Sequence, residues 1–203
     1  KKSKINKYYL IIILIVAITA VFIVDNTKTK QKTNYYHQQQ KAAQLMKKSI
    51  NNLKEHRKEL DIPINEKLDP NETGIIGKEY TSLTTTLGNL ESKRTALNPD
   101  FAALMVRYFH RIGLNKGDYI GIGASGSFPG LILATLSASK TMELKPIIIY
   151  SVGASTYGAN IPGFTFIEML DYLNKKDIFP YKLHGVSLGG NLDKAEGLLT
   201  SNS

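Results

Sequence analysis

Three short segments rich in glycine and serine are the places where this sequence could do chemistry. Each directly follows a run of apolar residues typical of a buried strand. Glycine allows a ligand to approach the backbone closely, and backbone N–H groups at a helix start favour anions such as carboxylates. The alternative is that glycine and serine only form turns and cap helices. The candidate ligand-binding residues are Gly123, Gly126 and Ser127, then Ser151, Gly153 and Ser155, and finally Ser187, Gly189 and Gly190.

The first segment resembles a dinucleotide-binding loop. Residues 121–126 read G-x-G-x-x-G between a predicted strand and a predicted helix. Dinucleotide sites also need an acidic residue at the end of the next strand, and Ser151 stands there instead. We therefore predict no nicotinamide cofactor and no other cofactor.

The same segment also resembles a nucleophile elbow. Residues 123–127 read G-x-S-x-S at a strand-to-helix turn, which would make Ser125 a catalytic nucleophile. Such a serine needs a neighbouring base, usually a histidine. No histidine follows Asp193, so the usual order of the three catalytic residues cannot be completed. Catalysis by Ser125 is therefore the second hypothesis, behind ligand binding. The four histidines are His37, His56, His110 and His184.

A cluster of polar residues that precedes these segments in the chain contains two further candidate ligand-binding groups, both basic. Lys93 or Arg94 could hold a carboxylate, since a guanidinium group can bind one through two hydrogen bonds. A solvated loop is the alternative for this cluster. The chain has no cysteine, and no pair of histidines or carboxylates has the spacing of metal ligands. We therefore predict no disulfide and no metal site.

The elements that must position these segments alternate along the chain. Short apolar strands separated by helices predict βαβ units, hence an α/β fold with a Rossmann-like or flavodoxin-like parallel sheet. There are too few units for a barrel. The carboxyl ends of parallel strands meet at one edge, so the three segments should share one crevice. The predicted strands are 118–124, 146–151 and 181–187, and the predicted helices are 128–141 and 165–175.

An apolar run near the N-terminus predicts a transmembrane helix over residues 8–24. Four lysines in residues 1–7 favour a cytoplasmic N-terminus, which places the main domain, residues 61–203, outside the cytoplasm of a single-pass membrane protein. A cleaved signal peptide fits less well than an uncleaved anchor, because Asp25 follows the apolar run directly and no A-x-A site is present.

Residues 25–60 are predicted to form a basic juxtamembrane segment and an amphipathic helix. Ala42, Met46, Ile50, Leu53 and Leu60 recur at helical spacing within 35–60. This stripe fits equally well a stalk that pairs with another helix and a helix laid against its own domain. After it, residues 61–78 read as a loop or a linker. Asn98, Pro99 and Asp100 then predict the start of a helix over 99–112.

The distribution of charge argues against nucleic-acid binding. The formal net charge is +9, yet residues 1–60 contain 13 lysines and arginines against three acidic residues, whereas residues 61–203 contain 13 against 14. The folded domain is thus nearly neutral and lacks the basic excess that nucleic-acid binding requires. The basic residues lie instead beside the membrane, where they favour anionic headgroups or a negative polymer.

Several long stretches of the sequence resemble the poly-γ-glutamate system protein family, which consists of membrane-anchored bacterial proteins associated with poly-γ-glutamate capsule machinery. They are GIIGKEYTSLTTTLGNLESKRTALNPDFAALMVRYF, GDYIGIGASGSFPGL, SVGASTYGANIPGFT and GVSLGG, within residues 74–197. The resemblance implies an extracytoplasmic accessory component that engages the membrane synthase, or the anionic polyglutamate itself. It also implies that the domain continues beyond Ser203. It assigns no reaction, so a serine-dependent γ-glutamyl amidohydrolase or transferase using Ser125 stays the alternative.

Overall fold

The computed structural model describes residues 7–27, 32–190 and 193–194. It divides into two compact units, Lys1–Asn34 and Tyr35–Ser203. The first unit contains one helix, and the second contains an α/β domain that begins at Tyr35, earlier than the boundary at residue 61 expected from the sequence.

The N-terminal helix α1 (Lys7–Thr27) is long and apolar enough to cross a membrane. Its mean hydropathy is 2.6, and none of its side chains is buried within the protein. At a rise of about 1.5 Å per residue, such a helix spans about 30 Å, the thickness of the hydrocarbon core of a bilayer. The Thr19 hydroxyl donates to the Ile15 carbonyl (2.8 Å), so its hydrogen-bonding group is satisfied within the helix. The predicted span at 8–24 lies inside this helix.

The second unit combines five helices with three strands. It consists of α2 (Tyr36–Glu59), α3 (Leu90–Ala96), α4 (Asp100–Arg111), β1 (Tyr119–Ser125), α5 (Pro129–Thr141), β2 (Lys145–Ser151), α6 (Phe166–Lys175) and β3 (Leu183–Ser187). Each strand and helix predicted from residue 99 onward is confirmed to within two residues at either end.

The strands form a parallel sheet in the order β1-β2-β3, which confirms the predicted α/β class. The side chains on the two faces of β2 differ sharply in burial. Ile148 and Tyr150 are fully buried, whereas Ile147 and Ile149 are 42% and 60% exposed. Since alternate side chains of a strand point to opposite faces, the helices cover one face of the sheet and leave the other open.

Helix α5 lies at the centre of the covered side, and its composition explains why. Its sequence, PGLILATLSASKT, is small or apolar around most of its circumference, as expected of a helix buried on several sides. It packs against α2, α4 and β2. Small residues such as Ala134 and Ala138, both fully buried, allow these neighbours to approach closely.

Helix α2 belongs to the core of its own domain, which decides between the two alternatives for the apolar stripe. Ala42, Met46 and Leu53 are fully buried, and Ile50 is 7% exposed. The helix packs against α4, α5 and α6. Leu60, at the C-cap of α2, is instead 42% exposed. The other four residues of the stripe find their apolar partners within the same chain.

Residues 61–78 form an ordered loop, which is one of the two alternatives predicted for this segment. The buried Arg57, in the last turn of α2, donates hydrogen bonds to the carbonyls of Gly74 (3.1 Å), Ile76 (2.7 Å) and Pro63 (2.8 Å). Asp69, also buried, accepts from the Gly74 amide at 2.8 Å. These bonds across the loop hold it to the end of α2.

The helix starts follow the predicted capping chemistry in part. A capping box formed by Thr165 and Glu168 opens α6, at the start of the helix predicted over 165–175. At α4 the N-cap position is Pro99, and the Asn98 side chain instead accepts from the Asp100 amide at 3.0 Å. Helix α3 was not predicted, because its seven residues are too few to show a periodic pattern.

Candidate functional site

The strand register brings three of the candidate serines into one row. Ser125 pairs with Ser151, and Ser151 pairs with Ser187, at the carboxyl ends of the three adjacent strands. Paired residues of neighbouring strands point to the same side of the sheet, so these hydroxyls share the open face with Ile147 and Ile149. The expected convergence of the three segments at one edge is thus present in the backbone.

The backbone amides of these segments bond mainly to the protein itself. The Gly126 amide donates to the Ser151 carbonyl at 3.1 Å, and the Gly153 amide donates to the Leu188 carbonyl at 3.0 Å. The Gly189 amide donates to the carboxylate of Asp193 at 3.1 Å. These donors, which the sequence offered to an anion, hold the three segments to one another.

Several of the glycines are required by close packing between the segments. A Cβ atom on Gly126 would lie 2.8 Å from the Ala154 Cβ, and one on Gly153 would lie 2.6 Å from the Thr85 Cγ2. Gly189 and Gly190 have φ angles of +78° and +80°, which favour glycine. Gly123 differs, because a Cβ atom there would meet nothing within 4 Å. Among the glycines of the three segments whose surroundings the structure describes, only Gly123 faces open space.

Lys93, on the short helix α3, carries a buried amino group beside the first two segments. The residue is 2% exposed. Its Nζ donates to the Ser127 carbonyl and to the Ser155 hydroxyl, the latter at 2.8 Å. It also lies 4.4 Å from the centre of the Phe128 ring, where a cation interacts favourably with the aromatic face.

Burial changes the protonation of Lys93. It lowers the pKa of the amino group from 10.5 to about 8, and no charged neighbour contributes to the change. Removal from water disfavours the ammonium form, and in the described part of the chain no carboxylate lies close enough to offset this. The amine is therefore much closer to neutrality at physiological pH than an exposed lysine.

Hydrogen bonds connect Lys93 to the serine row. The Ser155 amide donates to the Ser127 hydroxyl at 3.0 Å, and the Ser127 amide lies 3.4 Å from the Ser125 hydroxyl. Thr156, next in the chain, bonds both to the amide and to the carbonyl of Gly88. Lys93, the first two glycine and serine segments and Gly88 thus form one connected site, which we call the Lys93 site.

None of the histidines is positioned to activate Ser125 in the described ranges. The His184 Nδ1 accepts from the Ile148 amide at 3.1 Å, which fixes the ring to the backbone of β2. His110 bonds to Gln38, and His56 stacks on Tyr172 with ring centres 3.8 Å apart. These contacts occupy three of the four imidazoles, and none of them involves Ser125.

Arg94 points away from the Lys93 site. Its guanidinium donates to the carbonyls of Leu68 (2.8 Å) and Lys67 (2.7 Å) and pairs with Glu91. The side chain anchors the loop 61–78 to α3. Of the two basic residues predicted to hold a carboxylate, the structure therefore places Lys93, and not Arg94, beside the glycine and serine segments.

In the ranges that the structure describes, no group of three or more histidine or acidic side chains could hold a metal ion. Comparison of the chain with models of protein families, with curated proteins and with solved structures found no match.

The sequence offered one signal for α3 and therefore for Lys93. Asn89 caps this helix by accepting from the Ser92 amide at 2.8 Å, and an asparagine followed by helix-forming residues is a typical helix start. The burial of Lys93 had no such signal, because Ser127 and Ser155 are distant in the chain and meet it only in the folded domain.

Proposed function

We propose that the protein is a membrane-anchored accessory component of a bacterial poly-γ-glutamate synthesis and export system. The family resemblance within residues 74–197 supports the system, and the apolar helix α1 supports the membrane anchor. In this proposal residues 1–7 are cytoplasmic and the α/β domain is extracytoplasmic, because lysines are concentrated before the helix.

The observation that carries the proposal is the open face of the sheet. Tyr119 is 68% exposed on β1, and Ile149 is 60% exposed on β2. Exposed apolar side chains that are contiguous on a surface mark interaction sites. Gly121 and Gly123 lie between them without side chains, so that a partner can approach the backbone of β1 closely.

We propose that this face binds a protein subunit of the synthase. An apolar surface suits an apolar protein surface better than it suits a highly charged polymer, which would lose water without gaining ion pairs. The α/β domain, residues 35–203, is also nearly neutral in charge, with 19 basic against 16 acidic residues. Both observations favour a protein partner over polyglutamate at this face.

The polymer itself is the second candidate ligand, and the serine row favours it. Ser125, Ser151 and Ser187 lie side by side at the end of the open face. Hydroxyl groups can donate to the carboxylates of polyglutamate, and three in a row match an extended repeating chain. This binding would occupy the edge of the sheet rather than its apolar centre.

We further propose that the domain is related in fold to the Rossmann-like and flavodoxin-like proteins. The strand order β1-β2-β3, with one helix between each pair of strands, supports this assignment. In those folds ligands bind at the carboxyl ends of the strands, which is the edge where the serine row and the Lys93 site lie.

Charged substitutions on the open face test the proposal. The full-length chain with Ile147→Glu and Ile149→Glu, expressed in a poly-γ-glutamate-producing bacterium, should lose co-purification of synthase subunits while the domain stays folded. The matched control is Ile112→Glu, at a residue that is 72% exposed at the end of α4. Equal recovery of synthase subunits with the double variant and with the control would refute the proposed interface.

A further inference from the structure

We propose that Ser155 and Lys93 form a nucleophile and general-base pair for acyl transfer. The Lys93 Nζ lies 2.8 Å from the Ser155 Oγ, within the distance needed for direct proton transfer. This activity goes beyond an accessory role, and it is independent of the partner bound at the open face.

The surroundings of Lys93 fit a base better than they fit a tether between loops. If Lys93 only held two loops together, hydrogen bonds to carbonyl groups would be sufficient, and the bond to the Ser127 carbonyl already provides one. The second partner is a hydroxyl, which is the one type of neighbour that can give a proton to a neutral amine. Burying a lysine without a carboxylate also costs stability, as expected where function selects the residue.

The charge state required of the base is accessible near neutral pH. Burial is the cause of the lowered pKa of Lys93, about 8, and the groups that contact its amine are the Ser127 carbonyl, the Ser155 hydroxyl and the Phe128 ring. None of these three groups titrates near pH 8. A fraction of the molecules therefore carries the neutral amine at pH 7, and that fraction grows as the pH rises.

Both residues of the pair are buried in the folded domain. Ser155 is 8% exposed and Lys93 is 2% exposed. Phe128, whose ring lies over the amine, also lines a surface cleft with Gly123 and Ser125. The ring thus shields the amine from water, and this burial favours the neutral form of the amine, which can accept a proton.

The proposed reaction takes an acyl compound, either an amide or an ester. The Ser155 Oγ attacks the carbonyl carbon while its proton moves to the Lys93 Nζ, and a tetrahedral intermediate forms. The bond from this carbon to the leaving amine or alcohol then breaks, and the leaving group takes the proton from Nζ. Water or an acceptor amine attacks the resulting acyl-serine, gives a proton to Nζ, and releases Ser155, whose oxygen recovers that proton.

The first test is labelling of the full-length protein in detergent micelles with a fluorophosphonate probe. Labelling should increase about 20-fold between about pH 6.5 and pH 8.5, following the neutral fraction of an amine with a pKa near 8. Ser155→Ala and Lys93→Met should abolish it, whereas Ser82→Ala, at an exposed serine outside the site, should retain it. Unlabelled wild-type protein at pH 8.5, or equal labelling of wild type and Ser155→Ala, would overturn the proposal.

A second test does not depend on the probe fitting the site. The chain has no cysteine, so Ser155→Cys and Ser125→Cys each introduce a single thiol. Beside Lys93 the thiol should form its thiolate at lower pH, and Ser155→Cys should react with iodoacetamide at least tenfold faster at pH 7 than the same variant carrying Lys93→Met. Lys93→Met should not change the rate for Ser125→Cys. Equal rates with and without Lys93 at position 155 would contradict the pairing.

Discussion

The ionisation of Lys93 should make the stability of the domain depend on pH in a defined window. The pKa of this buried amine is about 8 in the folded protein, against 10.5 for an exposed lysine. Below pH 8 the folded and unfolded states both carry the proton, and the folded state bears the full cost of the buried charge. Between pH 8 and 10.5 the unfolded state binds more protons, so the free energy of unfolding rises with pH.

The size of this effect follows from the two pKa values. One pKa unit corresponds to about 1.4 kcal/mol, so the complete change is about 3 kcal/mol. About 1.4 kcal/mol of it should appear by pH 9 and about 2.5 kcal/mol by pH 10. Lys93→Met, with a side chain of similar length and no charge, should lack this gain.

Urea-induced unfolding, followed by circular dichroism at about pH 7, 8, 9 and 10, measures the effect in wild type and variant. The informative quantity is the difference between the two proteins at each pH, because other titrating groups affect both alike. Lys47→Met, at an exposed lysine on the domain surface, is the control and should run parallel to wild type. If the free energies of unfolding of wild type and Lys93→Met change with pH in the same way, the assignment of a buried, weakly basic amine is refuted.

Three further predictions address packing and topology. Leu53→Ala should lower the free energy of unfolding by about 3 kcal/mol, because Leu53 is fully buried. The control Leu60→Ala, at a residue that is 42% exposed, should change it by less than about 0.5 kcal/mol, and similar urea midpoints for the two variants would place α2 outside the core. Gly126→Ala should lower the free energy of unfolding by about 1–3 kcal/mol, because the new Cβ would lie 2.8 Å from the Ala154 Cβ. Gly121→Ala, whose Cβ meets nothing within 4 Å, should be tolerated, and equal losses of stability in urea unfolding would contradict this difference. Protease added to intact spheroplasts should digest the α/β domain and spare a tag at the N-terminus; full protection of the domain would reverse the proposed orientation.

The sequence was sufficient for the elements that have a strong local pattern. The three strands are short apolar runs bounded by polar turns, and the long helices either show an amphipathic period or carry a capping signal such as Thr165 with Glu168. The row formed by Ser125, Ser151 and Ser187 was also accessible, because parallel strands must bring their carboxyl ends to one edge.

What the sequence could not supply depends on contacts between distant residues. Loop 61–78 has the composition of a linker, yet three hydrogen bonds from Arg57 hold it in place. The glycines of the three segments were read as openings for a ligand, but Gly126 and Gly153 have no room for a side chain. The sequence offers Lys93 and Arg94 equally as groups that could hold a carboxylate, whereas only Lys93 reaches the site.

The position of α2 in the core has a consequence for the order of folding. Its apolar stripe, with Ala42, Met46 and Leu53 fully buried, is completed by α5 and α6, which lie far later in the chain. Long-range contacts of this kind slow folding, because a large loop must close before they form. During synthesis at a membrane, part of the apolar side of α2 stays uncovered until α5 and α6 have emerged. Efficient production of the domain should therefore depend on chaperones that protect this segment.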